Sequence, residues 1–301
     1  MTKRKELLTY PQLLSKMSDI GIGFNEWDTE QAIEFLQEKN YYYKVSSYRK
    51  LFPKVDGKYN IEFATLADIA VIDMRLRYLL LGICLDIEHS IKTTIMDLVT
   101  KHHKIDGYDI VKDYAVYNPP GYNNTIKALS KNTYLKNIYL KHHQDIPIWV
   151  LVEVMDFGNI CHFIKMYCEK YSNKNRLKKA KQLSSYARHI RNACAHSNVL
   201  LVDMLVDKPE NVLSPSAVIL SLGESFGLDR SDLRYRKLHD IFSLIILHRE
   251  YCGDKLKRHR RLEAIELAKR SKRYMKYYEE NEDLKKIYQI LCKILVKQSK
   301  T

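Results

Sequence analysis

Apolar residues recur along this chain mostly at the three- and four-residue spacing of helices. Leu13, Leu14, Met17 and Ile20 follow the helix-start signal Thr9-Tyr10-Pro11-Gln12, and Gly21 and Gly23 end the run. Thr29 is placed to cap a second helix, EQAIEFLQEKN, whose apolar side is Ala32, Ile33, Phe35 and Leu36. The aromatic stretch Asn40–Phe52 reads as the end of a small helical unit, and Pro53–Tyr59 as a turn. From Thr65 to about His102 a wide apolar face, Leu66 through Ile95, predicts a long helix at the centre of a bundle.

Ile105–Tyr122, with Gly107, Pro119, Pro120 and Gly121, is expected to be the least regular stretch. Pro147 opens a helix through IWVLVEVMDFGNICHFIKMYCEKY, and another covers Leu177–Val199. A Pro/Gly/Ser cluster at Lys208–Gly227 marks a boundary. Beyond it, Asp229–Cys252 and Leu262–Lys297 read as two basic helices, or one broken near Gly253. The expected organisation is an N-terminal helical unit (1–60), a helical core (61–207) and a basic C-terminal helical region (208–301).

Composition supports an all-α chain. Only 10 Gly and 7 Pro in 301 residues leave few turns for a β-protein. The net charge of +14 changes the picture of function. Between Asp229 and Thr301, 20 Lys and Arg face 11 Asp and Glu, so that segment carries +9 of the surplus. A localised basic surplus suits phosphate polymers or anionic membranes, and equally a set of solvated helix faces. No apolar run approaches the ~20 residues of a membrane span, and the start lacks the apolar core of a signal peptide, so a cytoplasmic protein is expected. The 6 cysteines fall singly, without a CxxC pair, so no disulfide framework or zinc site is expected, and no cofactor. His102-His103 and His142-His143 lack further ligands at metal-binding spacing and read as surface histidines. Glu88 and Glu153, inside apolar helical stretches, are expected to pair with Arg75 or Arg77.

The candidate chemistry lies in RHIRNACAH, Arg188–His196. Asn192 and His196 are four apart and share a helix face. Arg191 adjoins that face, Arg188 extends it, and Ala193, Cys194 and Ala195 are small enough for another helix to approach. An Arg-to-His spacing of this kind is common by chance: RYRKLH, Arg234–His239, has it too and reads as a solvated basic face. By itself RNACAH is equally a helix end satisfied by its own Asn and His.

Four segments taken together resemble the abortive-infection family of the AbiD/AbiF type, within the HEPN class. They are YYKVSSYRKLF (Tyr42–Phe52), DMRLRYLLLGICLDIEHSIKT (Asp73–Thr93), PIWVLVEVMDFG (Pro147–Gly158) and RNACAH, in the family's order, over about Thr9–Leu201. Lys44 and Lys92 stand where the family usually has Arg, Ser47 where it has Gly, and the usual basic residue after His196 is absent. The resemblance implies a HEPN-like helical bundle and a metal-independent ribonuclease with Arg191, Asn192 and His196 as catalytic residues. His196 would act as general acid or base and Arg191 would hold the phosphate. Residues five apart on a helix diverge by about 140° and ~7.5 Å, so a homodimer facing two motifs across one groove is expected. RNA is then the substrate, and also a possible restraining partner. Arg188, Arg258, Arg260 and Arg261 are the candidate RNA contacts. The alternative is a catalytically silent helical RNA-binding protein. The Tyr-rich Asn40–Tyr48 offers base stacking or, as the simpler reading, packing between helices.

Overall fold

The structure, a computed structural model, describes residues 4, 6–102, 104–171 and 176–297. In chain order the helices are α1 (Tyr10–Asp19), α2 (Thr29–Glu38), α3 (Tyr42–Ser47), α4 (Phe63–Lys101), α5 (Asp109–Tyr117), α6 (Pro119–Lys131), α7 (Lys136–His142) and α8 (Ile148–Val154). They continue as α9 (Phe157–Lys170), α10 (Lys178–Ala195), α11 (Ala217–Phe226), α12 (Arg230–Leu233), α13 (Arg236–Tyr251), α14 (Asp254–Ser271) and α15 (Glu282–Leu295). The chain is an all-α protein. Two short strands, β1 (Ile22–Gly23) and β2 (Ile61–Glu62), pair in parallel with Ile22 opposite Ile61. The chain packs as two compact units. One is Met1–Leu79, Ala193–Leu238 and Arg261–Thr301; the other is Leu80–Asn192 and His239–Arg260.

In the first unit, α1 starts at the expected signal, with Gln12 accepting the Thr9 N–H at 2.9 Å. Gly21 ends it at φ +85°, where a Cβ would lie 2.7 Å from that of Lys58, so only glycine lets β1 reach β2. The cap of α2 is Asp28, which accepts the Gln31 N–H at 2.8 Å, so Thr29 is the first helical residue rather than the cap. Phe24, Trp27, Phe35 and Phe63 pack with ring centroids 5.5 to 6.0 Å apart, mostly edge-on or tilted, and close the base of α4. Later in this unit the basic stretch after Asp229 breaks at Arg234-Tyr235, because the backbone there pairs with Val212 and Leu213. The expected single helix Leu262–Lys297 is also two helices, α14 and α15. Asn281 starts the second by accepting the Leu284 N–H at 2.9 Å.

In the second unit, the stretch expected to be irregular is largely helical. Pro119 and Pro120 occupy the first positions of α6, where no N–H donor is required, and Asn118 caps it. Gly121 permits a close approach: a Cβ there would meet Asn118 Nδ2 at 2.1 Å and Asn159 Oδ1 at 2.3 Å. Asn159 in turn binds Thr125 Oγ1 at 3.2 Å and lies against buried Tyr114. The helix expected after Pro147 is divided at Met155-Asp156, since Asp156 accepts the Asn159 N–H at 2.8 Å and starts α9 afresh. Glu88 pairs with Lys92 at 3.4 Å rather than with an arginine, and Glu153 and Arg75 are exposed. Among the described residues no helix is long and apolar enough to cross a membrane.

Candidate functional site

Helix α10 buries Ala180, Leu183, Ser184, Ala187, Ile190 and Cys194 and leaves its other side open. Arg188 and Arg191 are half-buried; Asn192 and His196 are exposed. Arg191 Nη1 donates to Asn192 Oδ1 at 3.3 Å, which orients the amide and leaves its N–H groups free. His196 caps the helix. The Ser197 N–H donates to the Cys194 carbonyl at 3.0 Å and the Asn198 N–H to that of Ala193 at 2.8 Å, with Ser197 left-handed at φ +54°. This crossed pair satisfies the last carbonyls and turns the chain sharply after the histidine. Burial pushes the Cys194 thiol up to about 12, against a smaller opposing pull from Arg77. Cys194 therefore stays protonated at neutral pH and is a packing residue.

The segment beyond His196 is held by a buried polar cluster. Asp73 Oδ1 accepts the backbone N–H of Leu200 at 3.1 Å and of Leu201 at 3.0 Å. Its other oxygen accepts the Tyr48 hydroxyl at 2.7 Å and pairs with Arg77 one helical turn along α4. Arg77 also reaches the Asn198 carbonyl at 3.5 Å. Lys237 threads in behind, donating to the carbonyls of Leu200 at 3.0 Å, Val199 at 3.4 Å and Val202. Desolvation lowers its pKa, and Asp203 and Asp73 partly offset that shift. Tyr48, Asp73 and Arg77 come from two of the sequence segments grouped above, and they converge on the turn that carries the third. Trp149, in the fourth, is half exposed on α8.

The remaining sequence candidates are scattered. Arg188 lies along the first turn of α9, its Cδ 3.7 Å from where a Gly158 Cβ would stand. Arg258 is exposed. Arg260 makes a forked pair with Asp86, at 2.6 and 3.0 Å, and lies over Gly82, where a Cβ would meet its Nη1 at 2.6 Å. Arg261 is exposed and donates to the Val296 carbonyl at 3.1 Å. RYRKLH is not a solvated face. Arg236 donates to the Glu210 carbonyl at 3.0 Å, Lys237 is the buried cluster member, and His239 is 2% exposed. His102 meets Tyr171 edge-on, His142 is half-buried, His143 is exposed, and His103 lies outside the described residues.

Two features escaped the sequence reading. His189 Nδ1 lies 3.1 Å from buried Asp240 Oδ2, so this exposed imidazole on α10 is oriented by a carboxylate 51 residues away. The Asp73 carboxylate is the other; an acid inside an apolar helical run carries the same signal as Glu88 and Glu153. An apolar cavity of about 390 Å³ lies among Ile72, Leu76, Leu267, Tyr278, Ile287 and Leu291 in the first unit. Among the described residues its lining offers no imidazole or carboxylate.

A family model described as Abi-like protein matches residues 34–201, more than half of the 301-residue chain. The match runs from within α2 to the Leu201 amide held by Asp73. No curated protein and no solved structure matches the chain.

Proposed function

The chain belongs to the Abi-like protein family, and from that premise we propose that it is a metal-independent endoribonuclease of abortive-infection phage defence. In this reading it is of the AbiD/AbiF type within the HEPN class and acts as a toxin that a partner holds in check. The observation that carries the reading is the open position of His196 on a firmly held turn, one turn beyond an amide oriented by Arg191.

The chemistry follows from the residue types. A neutral imidazole takes the proton of a ribose 2′-hydroxyl, and the 2′-oxygen attacks the adjacent phosphorus. The bond from phosphorus to the 5′-oxygen breaks, and an imidazolium returns a proton to that leaving oxygen. Arg191 holds the non-bridging oxygens with charge-assisted bonds as their charge builds. The Asn192 amide N–H groups orient the phosphate or the imidazole. The products are a 2′,3′-cyclic phosphate and a free 5′-hydroxyl. DNA lacks the nucleophile and is not cut. One imidazole cannot be base and acid at once, and Arg191 and His196 point about 140° apart around the helix. A homodimer that faces two motifs across one groove supplies both groups.

The test incubates wild type and His196→Ala with RNA and matching DNA in EDTA. The reading expects RNA-only cutting with cyclic-phosphate ends, and loss of cutting with retained binding in the variant. Equal behaviour of the two proteins would instead leave a silent RNA-binding protein.

A further inference from the structure

The tyrosines around α3 divide into two roles. Tyr48 is buried and fixed to Asp73, but Tyr41, the residue before α3, is 60% exposed and Tyr43 in its first turn is 80% exposed. Lys44 follows Tyr43. Its residue is only 7% exposed, and its ammonium lies 5.8 Å from the centre of the Tyr41 ring. Its Nζ has no hydrogen-bond acceptor or ion-pair partner among the described residues, yet it is not shut off from solvent. The nearby carboxylate is already used: Asp73 accepts Arg77 and Tyr48 on one oxygen and two backbone N–H groups on the other. Two cations thus share one saturated acid, which leaves a net positive charge beside two exposed tyrosines. Desolvation and the Arg77 charge lower the pKa of Lys44, with Asp73 opposing, as expected for an ammonium that lacks a counter-ion.

We infer that Tyr41, Tyr43 and Lys44 form a single-stranded RNA subsite, in which bases stack on the tyrosine rings and a phosphate neutralises Lys44. This rests on the ribonuclease reading above, and it names the form of RNA that the His196 site receives. Stacking needs a base whose face is free, which a duplex does not offer, and the phosphate supplies the missing counter-charge. The subsite is tied to the catalytic turn by two bonds in series, Tyr48 to Asp73 and Asp73 to the Leu200 and Leu201 amides. A strand gripped at α3 is therefore in fixed register with the turn bearing His196.

The test measures binding of a fluorescein-labelled oligouridine to the full chain carrying His196→Ala, over a salt series. Adding Tyr41→Ala or Tyr43→Ala is expected to weaken binding about tenfold. Lys44→Gln is expected to reduce the slope of log affinity against log salt by about 0.7. Tyr41→Phe and Lys44→Arg should retain the parent's behaviour, which separates contact from misfolding. The inference fails if the alanine and glutamine variants bind like the parent, if the conservative variants lose as much, or if duplex binds as tightly as single strand. Cutting is read separately with His196 intact. Normal KM in Lys44→Gln removes the subsite and leaves the ribonuclease standing. Loss of binding in the α3 variants, alongside undiminished cutting by His196→Ala, removes the ribonuclease site and leaves the subsite.

Discussion

Asp73 Oδ1 accepts the backbone N–H of Leu200 at 3.1 Å, joining positions 127 residues apart. Through it a buried acid on α4 holds the turn segment that leaves His196. Removing the acid leaves the Arg77 charge, the Tyr48 hydroxyl and two amides without their partner. Breaking one side of such a buried pair costs about 3–5 kcal/mol, and deleting only the Tyr48 hydroxyl, bonded to a carboxylate, about 1.5–3 kcal/mol. Urea unfolding of Asp73→Ala and Tyr48→Phe should reproduce that order, and the double variant should lose less than the sum. Equal, small losses would show that the cluster does not hold the turn.

Cys194 gives the alkaline limb of stability a definite sign. Its folded pKa, near 12, stands above the ~8.5 of an unfolded thiol. Between those values the folded chain keeps a proton that the unfolded chain releases. The contribution is therefore whole below ~8.5 and is lost as pH rises toward 12. Cys194→Ala removes this proton and should flatten the decline by at most about 1.4 kcal/mol per pH unit. Urea midpoints measured from about pH 7 to about pH 10 test it, and a parallel fall in both proteins would mean the thiol is not buried in solution. Cutting of RNA by Cys194→Ala should match wild type, since the thiol is a packing group.

What could be read from the chain follows from how local each cause is. The helices with sustained apolar periodicity, α4 above all, were visible because burial repeats every three to four residues. Pro119-Pro120 looked like a break, although the same residues suit a helix start; only Asn118 as cap decides between the two. Asp156 divides α8 from α9 by one hydrogen bond to a backbone N–H, which periodicity does not register. RNACAH was legible as a motif, and its exposure agrees with a polar helix face. The bond from Asp73 to the Leu200 amide was not legible, because a backbone donor leaves no mark in residue identity. Tyr48 and Tyr43 stand in one run of aromatics, yet one is buried and the other open. Six helical residues, with Tyr48 just past their end, are too few for periodicity to tell the two apart.

The basic C-terminal residues should separate by experiment as they do in space. Arg260 is held by Asp86 and is 19% exposed, whereas Arg258 is exposed and has no ion pair with the described residues. Arg260→Glu places two acids against each other in a half-buried site, so a lowered Tm is expected with destabilisation of about 3–5 kcal/mol. Arg258→Glu should leave Tm within a degree or so, as surface changes do. If Arg258 meets RNA, its reversal lowers the salt slope of binding by about 0.7 or more. A Tm loss in Arg258→Glu together with none in Arg260→Glu would reverse this assignment.

The demand for two motifs makes the assembly testable without a complex structure. Arg191→Ala and His196→Ala should each reduce cutting by roughly 10²–10³-fold, since one removes charge stabilisation and the other the proton shuttle. Wild type mixed with His196→Ala then tests the shared groove. If one groove draws an imidazole from each protomer, subunit exchange gives mixed dimers that hold one imidazole and cannot supply base and acid together. Activity should fall below simple dilution of wild type, following the square of the wild-type fraction. Size measurements with and without nuclease treatment show whether the exchanging species is a dimer and whether it carries RNA. An active wild type that is strictly monomeric, with activity falling only by dilution on mixing, would confine catalysis to one chain. His189, on α10 and oriented by Asp240 of α13, would then be the first residue to examine as the second imidazole.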